Sequence, residues 1–231
     1  MQNEIVPTQS GELAPFDGSV FASLTQSDYK VAIMCLGHPL SKPVQEGKIK
    51  PGELYLWGQD RPFSTAALDG SQTVDDLVLV AWRPHAWKMG IAGPDVESFD
   101  PNDPVFRDIV AKFNANPRNQ EGYAYGPEIL FYHQPTNSWL RYFFNKTARA
   151  AAPDPTQPAN IGAVFKFSSK LSQPNKKNQR WWQPVVSRLN KPQVDITTLE
   201  GFKDAMSEFM GLSGSKAAKE DAHIPDAQVS R

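Results

Sequence analysis

One stretch decides the fold that the sequence predicts, and it reads Trp139-Leu-Arg-Tyr-Phe-Phe-Asn-Lys-Thr-Ala-Arg149, Ala163-Val-Phe-Lys-Phe-Ser-Ser-Lys-Leu171 and Arg180-Trp-Trp-Gln-Pro-Val-Val-Ser-Arg-Leu189. Apolar and aromatic residues dominate each segment and polar turns separate them, which favours strands joined by loops. The first segment follows the strand-like run 128–133 after a five-residue turn, and such short loops join antiparallel neighbours. We therefore expect two β-hairpins, at 128–144 and 163–189.

The chain on either side of this stretch adds short strands and two helices. Runs at 29–36, 53–58 and 77–82 have the composition of strands, and 20 Pro among 231 residues disfavour long helices. Many short strands with Gly/Pro turns predict a mainly β protein, an OB-like barrel with long loop insertions. Apolar residues at helical spacing predict short helices at about 104–113 and 198–210.

Capping residues support both helices. Asp103 suits the N-cap of the first and Pro104 its first turn. Thr197 and Glu200 form a capping box for the second helix, and Gly211 is a suitable stop.

Three segments are expected along the chain. Residues 1–25 mix Pro, Gly, Ser and Gln and predict an extended N-terminal arm. Residues 26–211 would form the OB-fold nucleic-acid-binding domain, and residues 212–231, which lack apolar periodicity, a flexible C-terminal tail.

Charge is concentrated in one part of a nearly neutral chain. Residues 141–191 hold ten Lys/Arg and a single acid, Asp154, giving a local net charge of +9 in a chain of net charge −1. Aromatic residues are interleaved with these cations. Cations pair with phosphates and flat rings stack on unpaired bases, so the combination is typical of single-stranded nucleic-acid binding.

The first candidate contact segment is Trp82-Arg-Pro-His-Ala-Trp-Lys88. We interpret it as a stacking and phosphate-contacting loop beside the barrel, with Trp82 in the core and Trp87 at the surface. The alternative is a Trp-anchored turn that only covers the core. Its candidate ligand contacts are Arg83, His85, Trp87 and Lys88.

The second candidate is the strand that begins at Arg141. Alternate residues of a strand share a face, so Arg141, Phe143 and Asn145 lie on one side and Tyr142, Phe144 and Lys146 on the other. We expect the second set to be exposed to ligand, and the candidate contacts are Arg141, Tyr142, Phe144, Lys146 and Arg149.

The third candidate is the 163–189 hairpin, where lysines alternate with aromatic and small residues. If the strand is regular, only one of the adjacent Trp181 and Trp182 points into the core and the other is exposed as a stacking platform. The alternative is a solvated hairpin tip with ordinary surface charges. The candidate contacts are Lys166, Lys170, Lys176, Lys177, Arg180, Trp181 and Trp182.

Enzyme motifs are not found in this sequence. It contains no P-loop, dinucleotide, nucleophile-elbow or H-E-x-x-H pattern, and the lone Cys35 lies in an apolar run that indicates a buried free thiol. We expect a binding protein without cofactor or metal rather than an enzyme. A phage structural or protein-interaction module, and a small metal-dependent nuclease built from scattered carboxylates, stay open as alternatives.

The order of elements resembles the single-stranded-DNA-binding proteins of tailed phages. The likeness rests on the hairpin ending Arg141-Tyr-Phe-Phe-Asn-Lys-Thr-Ala-Arg149, the run Phe165-Lys-Phe-Ser-Ser-Lys170, a Lys-rich turn, Arg180-Trp-Trp-Gln-Pro-Val-Val186 and a closing helix. It implies an OB fold, DNA in a basic-aromatic groove and a role in replication or recombination. The weakly acidic ending Lys219–Arg231 departs from the acidic tail with a final aromatic residue of many such proteins.

Partners and location follow from the same observations. We expect single-stranded DNA as ligand, replication or recombination proteins as partners, self-association along DNA and no membrane contact. The absence of a signal peptide and the single cysteine predict a cytoplasmic protein, in the host cell if the chain is phage-encoded.

Overall fold

One eight-stranded sheet carries the fold in the computed structural model, which describes residues 31–39, 41–57, 73–90, 94–115, 122–173 and 180–211. The predicted arm 1–25 and tail 212–231 lie outside these residues. The strands and helices are β1 (Val31–Leu36), α1 (Lys42–Gln45), β2 (Leu54–Leu56), β3 (Thr73–Met89), β4 (Pro94–Ser98), α2 (Pro104–Ala115), β5 (Tyr123–His133), β6 (Ser138–Phe143), β7 (Val164–Leu171), β8 (Trp182–Arg188) and α3 (Phe202–Phe209).

The strands follow the order β2-β1-β6-β5-β3-β7-β8, and β4 pairs with the far end of β3. All pairs are antiparallel except β1 with β6. The hairpins predicted at 128–144 and 163–189 are confirmed as β5–β6 and β7–β8. The sheet curls strongly into a half-barrel, which agrees with the expected mainly β, OB-like architecture.

The 17-residue β3 organises the sheet. Its first part pairs with β7 up to Val78, its last part pairs with β4 from Ala86, and β5 runs along it from Leu77 to Lys88. Register shifts between Val74 and Leu77 and between Leu79 and Ala81 mark irregularities in the strand. Such bulges increase local twist and bend a strand, which helps a sheet to curl.

Alternation along the strands builds two apolar cores, one on each face of the sheet. The inner core joins residues from both ends of the strand order, such as Leu54 of β2 and Phe167 of β7, because the sheet curls around it. Its largest members, Phe131, Phe144 and Phe167, have no exposed surface. The outer core packs Leu130 and other residues of that face against α3. We call the corresponding sides of the sheet its inner and outer faces.

The two ends of the curled sheet meet at Gly52, in the loop before β2. The indole of Trp182 lies directly against this glycine, and the Ser169 hydroxyl donates a hydrogen bond of 2.5 Å to the Gly52 carbonyl. A side chain at residue 52 would occupy the space of the indole. The close approach therefore requires glycine where β7 and β8 reach the β1–β2 end.

Both helices predicted from the sequence, at about 104–113 and 198–210, are present as α2 and α3, although α3 is shorter than expected. Asp103 caps α2 as predicted, since its carboxylate accepts a 2.8 Å hydrogen bond from the amide of Val105. The capping box at Thr197 is wrong, because Asp195 accepts from the Thr197 amide and caps only a 3₁₀ turn, 196–198. A left-handed Gly201 then precedes α3, and Gly211, also left-handed, follows its end as predicted.

Replacing Gly52 with Ala should destabilise the fold more than the same change at Gly47. Both glycines have positive φ, 87° and 73°, so both variants meet backbone strain. A Cβ at residue 52 would also lie 2.5 Å from ring carbons of Trp182, whereas one at residue 47 meets nothing within 4 Å. Chemical denaturation should show an additional loss of about 1–3 kcal/mol for Gly52→Ala. Equal losses in the two variants would show that the contact with Trp182 does not hold the sheet ends together.

Candidate nucleic-acid interface

The segment 82–88 lies in regular strand rather than in a loop. Its register with β5 places Arg83 opposite Glu128 and His85 opposite Gly126, on the outer face. Trp82, opposite Ile129, belongs to the inner face together with Lys88. One short sequence thus divides its side chains between two sides of the sheet.

Arg83 lies in a buried ionic network. Its side chain is 3% exposed, and its Nε and Nη2 atoms each lie 2.7 Å from Oε2 of Glu128. Its Nη1 donates to the carbonyl of Phe209 at the end of α3, and its Cζ lies 3.7 Å from the centroid of the Phe99 ring. Nη1 of Arg141 lies 3.7 Å from Oε1 of the same Glu128 carboxylate.

His85 extends this network to β4. Its Nε2 lies 3.1 Å from Oε2 of Glu97, its Nδ1 lies 3.6 Å from Oε2 of Glu128, and its ring packs on Phe99 and Phe143. We name the five ionisable side chains the Glu128 cluster: Arg83, His85, Glu97, Glu128 and Arg141.

The charges of the cluster compensate the cost of its burial. Burial by itself raises the pKa of Glu128, but the positive charges of Arg83 and Arg141 outweigh it and lower that pKa from 4.5 to about 2. The carboxylate is therefore ionised at neutral pH. The cluster connects β3, β4, β5 and β6 with the end of α3, and its position indicates a structural role.

The expected surface role of Arg83 and His85 is therefore wrong, because both are buried and paired inside the protein. The expectation for the two tryptophans is reversed. Trp82 is 36% exposed, whereas Trp87 is half-buried with its ring 5.1 Å from that of His85 and 4.5 Å from that of Phe143. Lys88 lies at the inner-face surface, as one wall of a cleft against α2.

The alternation predicted for the strand after Trp139 is correct within β6, where Arg141 and Phe143 lie on the opposite face from Tyr142, but the expected exposed set is wrong. Asn145 and Lys146 follow the end of β6, and a 3₁₀ turn begins there. Tyr142 and Phe144, expected at the surface, belong to the inner core and are 7% and 0% exposed. Lys146 is half-buried near His38, and burial lowers the pKa of its ammonium. Arg141 is held in the Glu128 cluster.

The β7–β8 hairpin carries cations on its outer face. Phe165 and Phe167 point into the inner core, so Lys166 and Lys170 point outward by alternation. Lys170 and Arg180 are exposed, and Lys166 lies 3.6 Å from Asp75. The predicted contacts Lys176 and Lys177 fall outside the described residues.

The tryptophan pair at the start of β8 is divided between the faces. Trp182 lies opposite Leu171 on the inner face and packs on Gly52. Trp181 continues the register opposite Ser172, whose hydroxyl accepts from the Trp181 amide, and so lies on the outer face with Lys170. Both indoles are half-buried, so neither is as exposed as the sequence suggested.

Sequence reasoning missed a group of aromatic residues at the start of β5. The guanidinium of Arg149 lies 4.1 Å from the centroid of the Tyr125 ring and 5.4 Å from that of Phe113. The ammonium of Lys112 lies 5.7 Å from the centroid of the Tyr123 ring. The alternation of tyrosines in Gly122-Tyr-Ala-Tyr-Gly126 was a usable signal, because residues two apart in a strand share a face.

No protein-family model, curated protein or solved structure matches this chain. Within the described ranges, no group of three or more His, Cys, Asp or Glu is placed to hold a metal ion, and no helix there has the length and apolar character to cross a membrane. Cys35 is a free thiol whose pKa is raised to about 12 by burial. The proposed function is therefore argued from the exposed cations and aromatic side chains.

Glu128→Gln should destabilise the protein strongly near neutral pH. The change leaves Arg83 and Arg141 buried without their counter-charge, and removing one partner of a buried pair costs about 3–5 kcal/mol. Because the native pKa of Glu128 is lowered, its contribution is complete above about pH 4.5 and is lost as the pH falls toward 2. Urea denaturation should show that the difference in free energy of unfolding between parent and variant decreases as the pH falls through that interval.

A matched control is Glu46→Gln, which removes an exposed carboxylate paired with Lys42 and Lys48. Its effect should stay within about 0.5 kcal/mol. An equally small effect of Glu128→Gln would contradict the structural role of the cluster.

Proposed function

We propose that this protein binds single-stranded DNA without sequence preference, through the outer face of the β7–β8 hairpin. One observation carries the proposal: residues 163–191 hold seven Lys/Arg and no Asp or Glu, and the described part of the hairpin presents Lys166, Lys170 and Arg180 at the surface. Two of these cations, Lys166 and Lys191, pair with Asp75 and Asp76 of β3, and the segment itself holds no acid to compensate the others, so the ribbon attracts a polyanion.

The shape of the hairpin suits an extended chain of phosphates. Lys166 and Lys170 are four residues apart on one strand face, a separation of about 13 Å. The positions opposite them on β8 are Ser187 and Gln183, whose small or flexible polar side chains leave the ribbon surface open. Lysine side chains contact phosphates as point charges and do not read bases, which supports binding to any sequence.

Trp181 adds a ring to the same face. It precedes β8 beside Arg180 and shares the outer face with Lys170. The exposed part of its indole offers a surface to a base, and base–aromatic stacking tolerates every base. A ligand held by cations and a ring in this way is single-stranded, since stacking requires unpaired bases.

The biological setting belongs to the same proposal. A protein that covers single-stranded DNA serves replication or recombination, where such strands are exposed, and the resemblance to tailed-phage proteins supports a phage role in the host cytoplasm. A protein-interaction module is the alternative. Salt separates the two, because binding to phosphates weakens steeply as salt rises and an apolar protein interface does not.

The double variant Lys170→Ala/Arg180→Ala should weaken binding to oligothymidine and mixed-sequence oligonucleotides equally. Each lost phosphate contact should reduce the slope of log K against log salt by about 0.7. Fluorescence titration at several salt concentrations, using the tryptophan signal, measures both quantities.

Lys42→Ala/Lys48→Ala is the matched control, since it removes the same charge from exposed lysines near α1. Equal effects of the two double variants would show a response to net charge alone and would contradict a site on the hairpin.

Trp181→Ala should weaken binding by about 1–3 kcal/mol while leaving the salt slope unchanged, because stacking releases no counterions. Trp181→Phe, which keeps a ring, should recover part of the affinity. A slope that falls together with the affinity would show that the variant disturbs the neighbouring cations rather than a stacking contact.

A further inference from the structure

The inner face of the sheet carries a second row of aromatic and basic side chains. Beyond the inner core, β3 and β5 continue side by side, and the register places Trp82 opposite Ile129, Ala86 opposite Tyr125 and Lys88 opposite Tyr123. Directly opposed residues of a pair share a face. We name this row the stacking stripe: Trp82, Lys88, Lys112, Tyr123, Tyr125 and Arg149.

Two cations of the stripe are held in place by the rings. Arg149 sits over Tyr125, and its Nε donates a 3.2 Å hydrogen bond to the carbonyl of Lys146. Lys112 reaches over Tyr123 from α2 and is also paired with Asp108. A cation whose side chain is already ordered loses less entropy when it binds a phosphate, which favours binding.

Trp82 lies at the other end of the stripe, and part of its side chain is exposed to solvent. It is 36% exposed, which makes it one of two exposed tryptophans in the described part of the chain, with Trp57. Within the described residues, β3 pairs with β7 only to Val78 and with β4 only from Ala86, so no strand runs beside Trp82 on that edge. The exposed part of the side chain offers a surface to a base.

The stripe and the hairpin cations lie on opposite faces of one sheet. Trp82 and Lys88 share the face of Ile129 and the inner core, whereas Lys166 and Lys170 alternate with Phe165 and Phe167 and point outward. A short oligonucleotide bound on one face of the sheet therefore does not reach the cations on the opposite face. The distance along β3 from Trp82 to Lys88 is about 20 Å. Ala86 between them has no exposed surface and Phe113 of α2 packs on the opposed Tyr125, so a bound oligonucleotide would follow the edge of α2.

We propose that the stacking stripe is a second site for single-stranded nucleic acid, separate from the hairpin. Trp82 stacks with a base, Arg149 contacts a phosphate above Tyr125, and Lys88 contacts a phosphate at the edge of α2, whose Phe113 packs on Tyr125. The inference rests on the proposed function of the hairpin, because it assigns the same ligand class to the opposite face. One chain would then hold two short strands, or two segments of one long strand that passes around the sheet.

Counting bound oligonucleotides tests this proposal. The probe is hexathymidylate, which is too short to pass from face to face, and native mass spectrometry with calorimetric titration gives the number bound per chain. We expect two copies on the parent protein at low salt, and one copy on Trp82→Ala and on Lys170→Ala/Arg180→Ala. The combined variant should bind none above background.

Three further variants show whether the loss of a bound copy reflects a lost contact or a misfolded protein. Trp82→Phe should retain the second copy, and Arg149→Gln, which keeps a planar group over Tyr125, should weaken that copy by about tenfold. Trp57→Ala is the matched control: Trp57 is 47% exposed at the end of β2 and is not part of the stripe, so two copies should still bind.

The two proposals fail in different ways. If the parent binds one copy and only the hairpin variant removes it, the second site is refuted and the proposed function stands. If the parent binds one copy that Trp82→Ala removes, the hairpin assignment is refuted and the stripe is the site. If the parent binds no hexathymidylate and no longer oligothymidine, both proposals fail.

Discussion

The ion pair between Arg83 and Glu128 is the interaction on which the arrangement of the outer face depends. Two nitrogens of the guanidinium contact one carboxylate oxygen at 2.7 Å, and the same guanidinium reaches the last turn of α3. Burial of this pair is costly unless other groups also contact the buried charges, and the guanidinium of Arg141 provides a second positive charge beside Glu128. The helix that covers the outer core is thereby attached to three strands.

This arrangement changes how the basic residues of the sequence are understood. Arginines that count toward the positive charge of the chain are of two kinds, those that compensate buried carboxylates and those that face solvent. Arg83 and Arg141 are of the first kind, and Arg180 is of the second. Net charge in a sequence segment therefore overstates the charge available to a ligand. This holds for the hairpin β7–β8 as well, where Lys166 pairs with Asp75 although the hairpin itself contains no acid.

The curled sheet also separates two surfaces of similar chemistry. The outer face of β7–β8 combines lysines with Trp181, and the inner face of β3–β5 combines Trp82 and two tyrosines with Lys88 and Arg149. The inner surface exists because β3 and β5 continue beyond the barrel core, where α2 packs on part of this face through Ile109 and Phe113. If β3 and β5 ended at the inner core, this inner surface would not exist.

Local sequence determined β1, β2, the middle of β3, both hairpins, α2 with its Asp103 cap and the concentration of cations in one segment, because alternation, turn residues and capping act between near neighbours. It did not predict β4 or the continuation of β3 through residues 83–89. Alternation also determined which residues of β6 share a face. Only the tertiary structure decided which face is buried, since both carry aromatic residues and the choice of Tyr142 and Phe144 for the core depends on how the distant strands β2 and β7 curl around them. The same holds for Arg83 and Trp182, whose partners Glu128 and Gly52 lie 45 and 130 residues away along the chain, beyond the reach of any local pattern.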